Sequence, residues 1–560
     1  MKRLICYIAS ILTLISSSVN VFAQDKLELK AQAIRNLTES ATALETAISV
    51  PANDFLNSIG ANSAIYRRGE NLESTMACCR YLGIRWIRMD EAGRANDIKR
   101  LYEEAGVKVS CSLGSGGSDI TGVVNGAKAI AAFGGLLAIE GANEPNNWGI
   151  TYQGEKGGRL WNYNTNNWSY YSWLPIAKLH RDLYTAVKSD PVLKDYPVWS
   201  TTETGAQSDN CGLQFLTILE GQGVLMPDGT KYADYATCHN YFIHPSFPPV
   251  QNNQTWRASE PLSSCPVDGL YGNFGKTWSK KFPGYSDAEL IALPKVTTET
   301  GVTIGGDVTE EMQALMYMSM YLAQYKRGWS YTSMYLLRDR SDESGNQTFG
   351  FYKPDYSARQ SALYLHNLTT ILADDNSIES PGELTYALSP GRPSTVHELL
   401  LQKSNGTLEL VVWSERFIGG SDEIEVQFDQ SFDEVKVYDP TVGTEAIQTL
   451  NNVSSVSLTM TSHPFILEIK SNATSNKDIK VNEPLGDAVL NPVGDVLSLE
   501  NTKGLEKIEI FDLTGKNVLS FLPENDGRMP LHVAHLAKGT YMLRLTATGN
   551  KVERCKIIKN

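Results

Sequence analysis

Two stretches of this 560-residue chain deliver a carboxylate where an apolar run gives way to a loop. Leu136-Leu-Ala-Ile-Glu-Gly-Ala is followed by Asn143-Glu144-Pro145, and a proline, having no N–H for a ladder, ends a strand at that point. Leu293-Pro-Lys-Val-Thr-Thr-Glu-Thr-Gly301 does the same for Glu299. Two carboxyls meeting in one cavity suit acetal hydrolysis. One is protonated and donates to the leaving oxygen, and the other is ionised and attacks the anomeric carbon. Their mutual repulsion, with partial burial, separates the two pKa values. A third glutamate competes for a role, because Thr201-Thr-Glu203-Thr-Gly205 repeats the five residues around Glu299. Glu203 should top the strand next to that of Glu144, as an alternative nucleophile or as a subsite and pKa-tuning residue.

Other strand ends supply supporting chemistry. Arg88 closes Gly83-Ile-Arg-Trp-Ile-Arg88 and can hold a carboxylate in its ionised form; a salt bridge in a barrel wall is the alternative. His239-Asn-Tyr241 ends another strand, where a structural histidine is the plainer reading. Trp329, Tyr331 and Tyr335 share one parity on the last strand, so alternation would aim all three to one side, Trp329 among them as a sugar platform. The loop after Glu144 carries Trp148, Tyr152, Trp161, Tyr163, Trp168, Tyr170, Tyr171 and Trp173 among Asn and Gly. Aromatic rings stack on the C–H faces of sugars, and a long Trp-rich loop is more economically explained by a ligand than by decoration. Residues 242–282, with Trp256 and Trp278, form a similar insert.

Elements that would position these groups alternate from about residue 53 to 375. Eight candidate strands are Phe55–Ser63, Ile84–Met89, Val107–Leu113, Leu136–Gly141, Val198–Thr202, Tyr235–Tyr241, Lys295–Thr298 and Trp329–Leu337. Helical stretches such as Asp97–Ala105, Ile176–Val187, Glu310–Tyr325 and Ala358–Ile371 separate them. The fold class this predicts is α/β, a (β/α)8 TIM barrel, with a doubly wound open sheet as the alternative. In a barrel the C-terminal strand ends form the reactive face, so Glu144 and Glu299 would share a mouth. Residues 376–470 lose the helices and alternate as strands, an accessory β-sandwich. Residues 471–482 read as a polar linker and 483–560 as a second small β-sandwich.

With those residues in view, the chain resembles clan A glycoside hydrolases, the retaining barrel enzymes, from about Phe55 to Ala373. The resemblance rests on Asn143-Glu144-Pro145 after one strand and Thr298-Glu299 after a later one. It implies that Glu144 is the acid/base, Glu299 the nucleophile in preference to Glu203, and Asn143 a contact to the sugar 2-hydroxyl. It also implies that His239 or Tyr241 stands beside the nucleophile. The tail, with Val489-Leu-Asn-Pro-Val-Gly-Asp and Lys507-Ile-Glu-Ile-Phe-Asp-Leu-Thr-Gly-Lys516, resembles the C-terminal sorting domain of the type IX secretion system of Bacteroidetes. That implies export through the outer membrane and the secretion machinery as a partner.

Composition and the N-terminus agree with export. Met1-Lys2-Arg3, an apolar run from Leu4 to Leu14 and Val21-Phe22-Ala23 read as a signal peptide over residues 1–23, and residues 24–52 as an Ala/Leu/Glu-rich helical segment. No later run is long and apolar enough for a transmembrane segment. The 50 Lys+Arg against 63 Asp+Glu give a net charge of −13. Without a clustered basic surface this disfavours nucleic acid and, by default, acidic polysaccharide. The eight cysteines show no metal-type spacing and read as isolated thiols with at most one or two disulfides. Asp339 and Asp342 could bind a cation, yet no regular calcium loop surrounds them. No phosphate-binding, dinucleotide, zinc-protease or serine-elbow motif is present. The expected activity is hydrolysis of a β-linked poly- or oligosaccharide with no metal or organic cofactor, since side chains supply the protons and the nucleophile. A carbohydrate-binding surface protein without turnover, or a transglycosylase, would use the same residues.

Overall fold

A computed structural model describes residues 44–89, 92–172, 174–202, 230–243, 250–260, 293–340, 348–378, 380–389, 391–470 and most of 487–559. The expected signal peptide, Glu203, the 471–482 linker, Trp173, Trp278, Asp342 and most of the 242–282 insert lie outside these residues.

Eight parallel strands form a barrel: β1 (Ile59–Asn62), β2 (Trp86–Met89), β3 (Lys108–Ser115), β4 (Leu136–Asn143), β5 (Val198–Trp199), β6 (Ala236–Cys238), β7 (Lys295–Thr300) and β8 (Trp329–Met334). They pair as β5-β4-β3-β2-β1-β8-β7-β6, and a parallel bridge from Trp199 to Tyr235 joins the two ends. The described helices between them are α1 (Leu72–Leu82), α2 (Ala95–Ala105), α3 (Ile120–Ala131), α4 (Leu174–Ser189) and α5 (Glu310–Lys326), together with the short helix Gln254–Ala258, and α6 (Gln360–Ile371) follows β8. Local chemistry sets their ends. Asn71 caps α1 by accepting from the Ser74 N–H, and Gly83 closes it at φ 68°.

Trp86, Ala138, Trp199 and Val296 fill the inside of the barrel, with Tyr331 against both tryptophans at 5.7 and 5.5 Å. Gly60 on β1 makes room for this, because a Cβ there would lie 2.2 Å from the Trp86 ring. Period-2 alternation then carries Arg88 two residues above Trp86, and Glu140 two above Ala138, toward the C-terminal mouth.

The accessory module is built from β9 (Glu383–Ser389), β10 (Val396–Gln402), β11 (Leu408–Ser414), β12 (Asp422–Tyr438), β13 (Ala446–Met460) and β14 (Pro464–Ile469). The expected N-terminal helical segment is corrected where it is described. Glu45–Ile48 is a strand antiparallel to β9, and Val50–Pro51 is one parallel to β10. Unpaired backbone on the edges of the accessory sheet is satisfied this way, and tertiary pairing overrides the helical propensity of the segment. Phe55–Ser58, expected as strand, belongs to the helix Ala52–Ser58.

Both faces of β10 and β11 are buried. Leu399, Leu401, Val411 and Trp413 join the core of the barrel, whereas Leu400, Leu410 and Val412 face a separate core within the accessory module. Glu415, fully buried, accepts from the Thr255 and Trp256 N–H groups at 3.0 Å and from the Thr255 hydroxyl at 2.5 Å, fastening a barrel loop to this module. Trp256 stacks on His397 at 3.9 Å, so it serves the junction and not a sugar groove. Replacing Glu415 by Ala strands two buried donors, at about 1–3 kcal/mol each, and the partly buried Trp256 N–H. Thermal unfolding of the E415A protein should therefore begin several degrees lower, as calorimetry would register.

In the tail, two antiparallel sheets of three and four strands enclose one core that includes Leu497, Ile508, Leu531 and Leu543. No helix among the described residues is long and apolar enough to cross a membrane. Cys78, Cys79, Cys111 and Cys238 are buried thiols.

Candidate active site

Glu144 follows β4 directly in a left-handed conformation, φ 44°, which a non-glycine residue adopts at a cost of about 1–3 kcal/mol. Its N–H bonds the Thr202 carbonyl on the neighbouring strand end at 2.9 Å, and its own carbonyl accepts from Asn147 and Trp148. The turn so fixed sends the carboxylate into the mouth, where Oε1 meets His239 Nδ1 at 2.7 Å and Oε2 accepts from Asn147 at 3.3 Å.

Glu299 reaches the same cavity by a different device. Thr297 and Thr300 of β7 pair with Thr332 and Met334 of β8, so β7 carries one residue too many between them. Such a bulge breaks the alternation and re-aims the following side chain. Glu299 Oε1 receives Arg88 Nη1 at 2.6 Å, and Oε2 receives the Tyr241 hydroxyl at 2.9 Å and lies 3.4 Å from His239 Nδ1. Oxygen atoms of Glu144 and Glu299 and the His239 ring nitrogen all fall within 4.8 Å of one another.

Arg88 is the hub beneath this pair. Its Nε and Nη2 grip both oxygens of Glu140 at 2.7 and 2.8 Å, and Nη2 also donates to Asn143 Oδ1 at 2.8 Å. Glu140 is wholly buried, and the pair is bidentate, the geometry in which a guanidinium binds a carboxylate most strongly. Asn143 in turn donates to the Ser115 hydroxyl at 3.0 Å. Glu140 is absent from the residues singled out in the sequence, although a signal was there: an acid inside an apolar strand, at the parity of Ala138.

Burial raises the Glu299 carboxyl first of all, while the His239 ring, Arg88 and the Tyr241 hydrogen bond pull it back and the Glu144 charge pushes it further up. At such separations the two carboxyls titrate as a pair. Two donors, Arg88 and Tyr241, favour placing the shared negative charge on Glu299. Glu144, His239 and Glu299 also have the composition of a metal-ligand set. The guanidinium already seated on Glu299, however, opposes a dication at the same oxygen.

Of the other residues expected here, Trp148 stands in the turn after Glu144, half-exposed. Trp329 is corrected. A bulge between Trp329 and Tyr331 breaks their common parity, and Trp329 sits at the bottom of β8, buried, with its indole N–H on the Ser259 carbonyl at 2.9 Å. Tyr331 lies inside the barrel, and only Tyr335 reaches the cavity beside Glu299. Asp339 pairs with Arg359 at 2.5 Å and accepts the Gly350 N–H, which leaves it a structural acid. The aromatic loop after Glu144 folds as three antiparallel strands, Ile150–Tyr152, Glu155–Asn162 and Asn167–Tyr171. Trp161 and Trp168 face each other across it, both partly exposed, with Arg159 over Trp168 at 4.3 Å. Arg159 also donates to Asn147, the residue bonded to Glu144.

Comparison with known proteins places the tail first. Residues 491–560 match the secretion system C-terminal sorting domain. The tail is a type IX sorting signal, and the protein is exported to the cell surface or beyond it. No curated protein matches the chain in sequence. Among solved structures, the chain is similar to a family 39 glycoside hydrolase from Bacteroides cellulosilyticus WH2, at 14% identity and a TM-score of 0.48 over 75% of this chain and 82% of that one. It is similar also to the catalytic domain of GH30 xylanase C from Talaromyces cellulolyticus, at 12% and 0.43 over 77% and 99% of the two chains. An endo-β1,6-glucanase gives 12% and 0.40 over 76% and 95%.

Proposed function

We propose that the protein is a retaining glycoside hydrolase that cleaves β-linked poly- or oligosaccharides outside the cell. The observation that carries this is the approach of Glu144 and Glu299 to within 4.8 Å, oxygen to oxygen, at the C-terminal mouth of a parallel barrel. That spacing is close to the ~5–5.5 Å of retaining pairs and short of the ~6.5–9.5 Å that admits a water between them. Glu299, held ionised by Arg88 and Tyr241, attacks the anomeric carbon. Glu144 gives its proton to the departing oxygen, then takes one from the water that releases the glycosyl-enzyme. Asn143, fixed by Arg88 and Ser115, is placed to bond the sugar 2-hydroxyl. Trp148, in the turn after Glu144, and the hairpin insert with Trp161 and Trp168, tied to that turn through Arg159 and Asn147, lie on the Glu144 side, where rings can stack on further sugars.

Incubation with a panel of β-glycans and aryl β-glycosides, read by proton NMR, should show the β-anomer of the product first. The α-anomer first would indicate inversion, and glycan binding with no new reducing ends would indicate a binding protein on this fold.

Tyr241 supplies a test of the charge placement. Its hydroxyl stabilises ionised Glu299, so Tyr241→Phe lets that carboxyl rise further. The acid limb of kcat/KM then moves to higher pH. A hydrogen bond to a charged group is worth about 1.5–3 kcal/mol, so activity at pH 5 should fall about ten-fold or more, with a smaller loss at pH 8. An equal loss at both pH values would mean that Tyr241 does not tune Glu299.

A further inference from the structure

We infer that Arg159 is a positioning residue for the proton donor, and that it speeds cleavage when the departing part of the substrate is longer than one sugar. This rests on the glycosidase reading above and names its substrate class, a β-linked chain that extends past Glu144. Three contacts stand in series. The Arg159 guanidinium lies over the Trp168 ring at 4.3 Å, its Nη1 donates to Asn147 Oδ1 at 3.3 Å, and Asn147 Nδ2 donates to Glu144 Oε2 at 3.3 Å. A guanidinium has donors and no acceptor, so Asn147 turns its carbonyl oxygen to Arg159 and its NH2 to Glu144. The opposite rotamer would set an amide oxygen against the carboxylate. A cation behind the amide also polarises it, which strengthens the N–H bond on the far side.

The series ends on the oxygen pair whose charge changes in the reaction. Glu144 becomes a carboxylate as its proton passes to the departing oxygen, and a donor already aimed at Oε2 stabilises that charge as it develops. An interaction stronger in the transition state than in the ground state raises kcat. The hairpin sets the other end of the series beside the departing sugars. Arg159 and Trp161 share one parity on Glu155–Asn162, and Trp168 is directly opposite Trp161, so all three side chains share a face. The reach of Arg159 to Asn147 turns that face toward Glu144. Both ends of the insert are fastened. The Arg159 N–H donates to the Pro145 carbonyl at 2.8 Å, and the Gly149 N–H donates to the Arg159 carbonyl at 2.7 Å. The Tyr152 hydroxyl donates to Asp182 of α4 at 2.7 Å, and the Ser118 hydroxyl to the Thr151 carbonyl at 3.0 Å. Trp161 and Trp168, each 37% exposed with ring centroids 5.3 Å apart, keep ring surface for the C–H faces of sugars. A sugar seated there removes water from the Arg159–Trp168 contact, and a cation–π pair strengthens on desolvation. The guanidinium is then held on Asn147, and two bonds that are long at 3.3 Å have room to tighten.

The test measures kcat and KM on xylo-, cello- and β-1,6-linked gluco-oligosaccharides from the disaccharide to the hexasaccharide, and on the dinitrophenyl β-glycosides of the same sugars. In the series that is cleaved, kcat should rise about ten-fold from the shortest member to the longest. Arg159→Gln should remove most of that rise. The hexasaccharide-to-aryl ratio of kcat should then fall about ten-fold, because the aryl group needs no proton donor and places no sugar on the hairpin. KM for the hexasaccharide should change less than kcat. Arg159→Lys, which keeps the charge without the planar fork, should restore part of the ratio. Asn147→Ala should reproduce the loss, and the double variant should be no worse than either single one, since the two residues act in series. Equal losses on oligosaccharide and aryl substrates, or additive losses in the double variant, would overturn the inference and leave the glycosidase standing. So would a kcat indifferent to chain length in the unaltered protein. No hydrolysis of any glycoside by the unaltered protein would overturn the glycosidase reading, and the inference with it.

Discussion

Glu144→Ala should slow hydrolysis of glycosides with poor leaving groups by about 10²–10⁴-fold, the usual worth of a positioned proton donor. A dinitrophenyl glycoside needs no such donor, so its first step should survive and a glycosyl-enzyme should accumulate. Azide, small enough to enter the space left by the side chain, should then restore turnover and yield a β-glycosyl azide. Glu299→Gln should instead abolish the covalent intermediate, and a 2-fluoro glycoside should leave no adduct on it. Mass mapping of the adduct on the unaltered protein distinguishes the two Thr-Thr-Glu-Thr-Gly segments. A label on the peptide containing Glu203 would move the nucleophile to the neighbouring strand and undo the assignment. The expectation for Glu299 stands on geometry that sequence did not contain, namely its approach to Glu144 and its contacts with Arg88 and Tyr241.

The contrast between what the residues disclosed and what they concealed has a physical basis. Barrel strands buried on both faces read as short apolar runs, and all eight overlap those runs, from Ile59 to Met334, the first of them only after Phe55–Ser58 has gone to helix. Glu144 and Glu299 were legible because each sits at the polar end of such a run. Parity arguments failed where a bulge intervened. The bulge between Trp329 and Tyr331 turns Trp329 away from the mouth, and the one before Thr300 turns Glu299 into it. A bulge has no reliable signature in one strand, since it is defined against its neighbour. The strands Glu45–Ile48 and Val50–Pro51 were hidden for a related reason: their partners lie more than 300 residues later in the chain.

Glu140→Ala should be among the most damaging substitutions outside the carboxyl pair itself. Glu140 is the bidentate partner of buried Arg88, and breaking a buried pair from one side costs about 3–5 kcal/mol. Thermal unfolding should accordingly begin well below that of the parent. Instability alone would not show that Glu140 positions the reactive groups, and the pH profile supplies the independent readout. With Glu140 gone, Arg88 keeps its full charge and has Glu299 as its remaining carboxylate partner. A nearer, less compensated cation favours the ionised form, so the Glu299 carboxyl falls and the acid limb of kcat/KM moves to lower pH. The sign is opposite to that expected for Tyr241→Phe, although both changes lie within hydrogen-bond reach of one network. A carboxylate held lower is also a weaker nucleophile, so kcat should fall further than KM changes. An E140A protein that unfolds early yet keeps the parental acid limb would reduce Glu140 to a structural role. A limb displaced downward, with E140D restoring part of the way back, would establish that the charge beneath Arg88 sets the proton affinity above it.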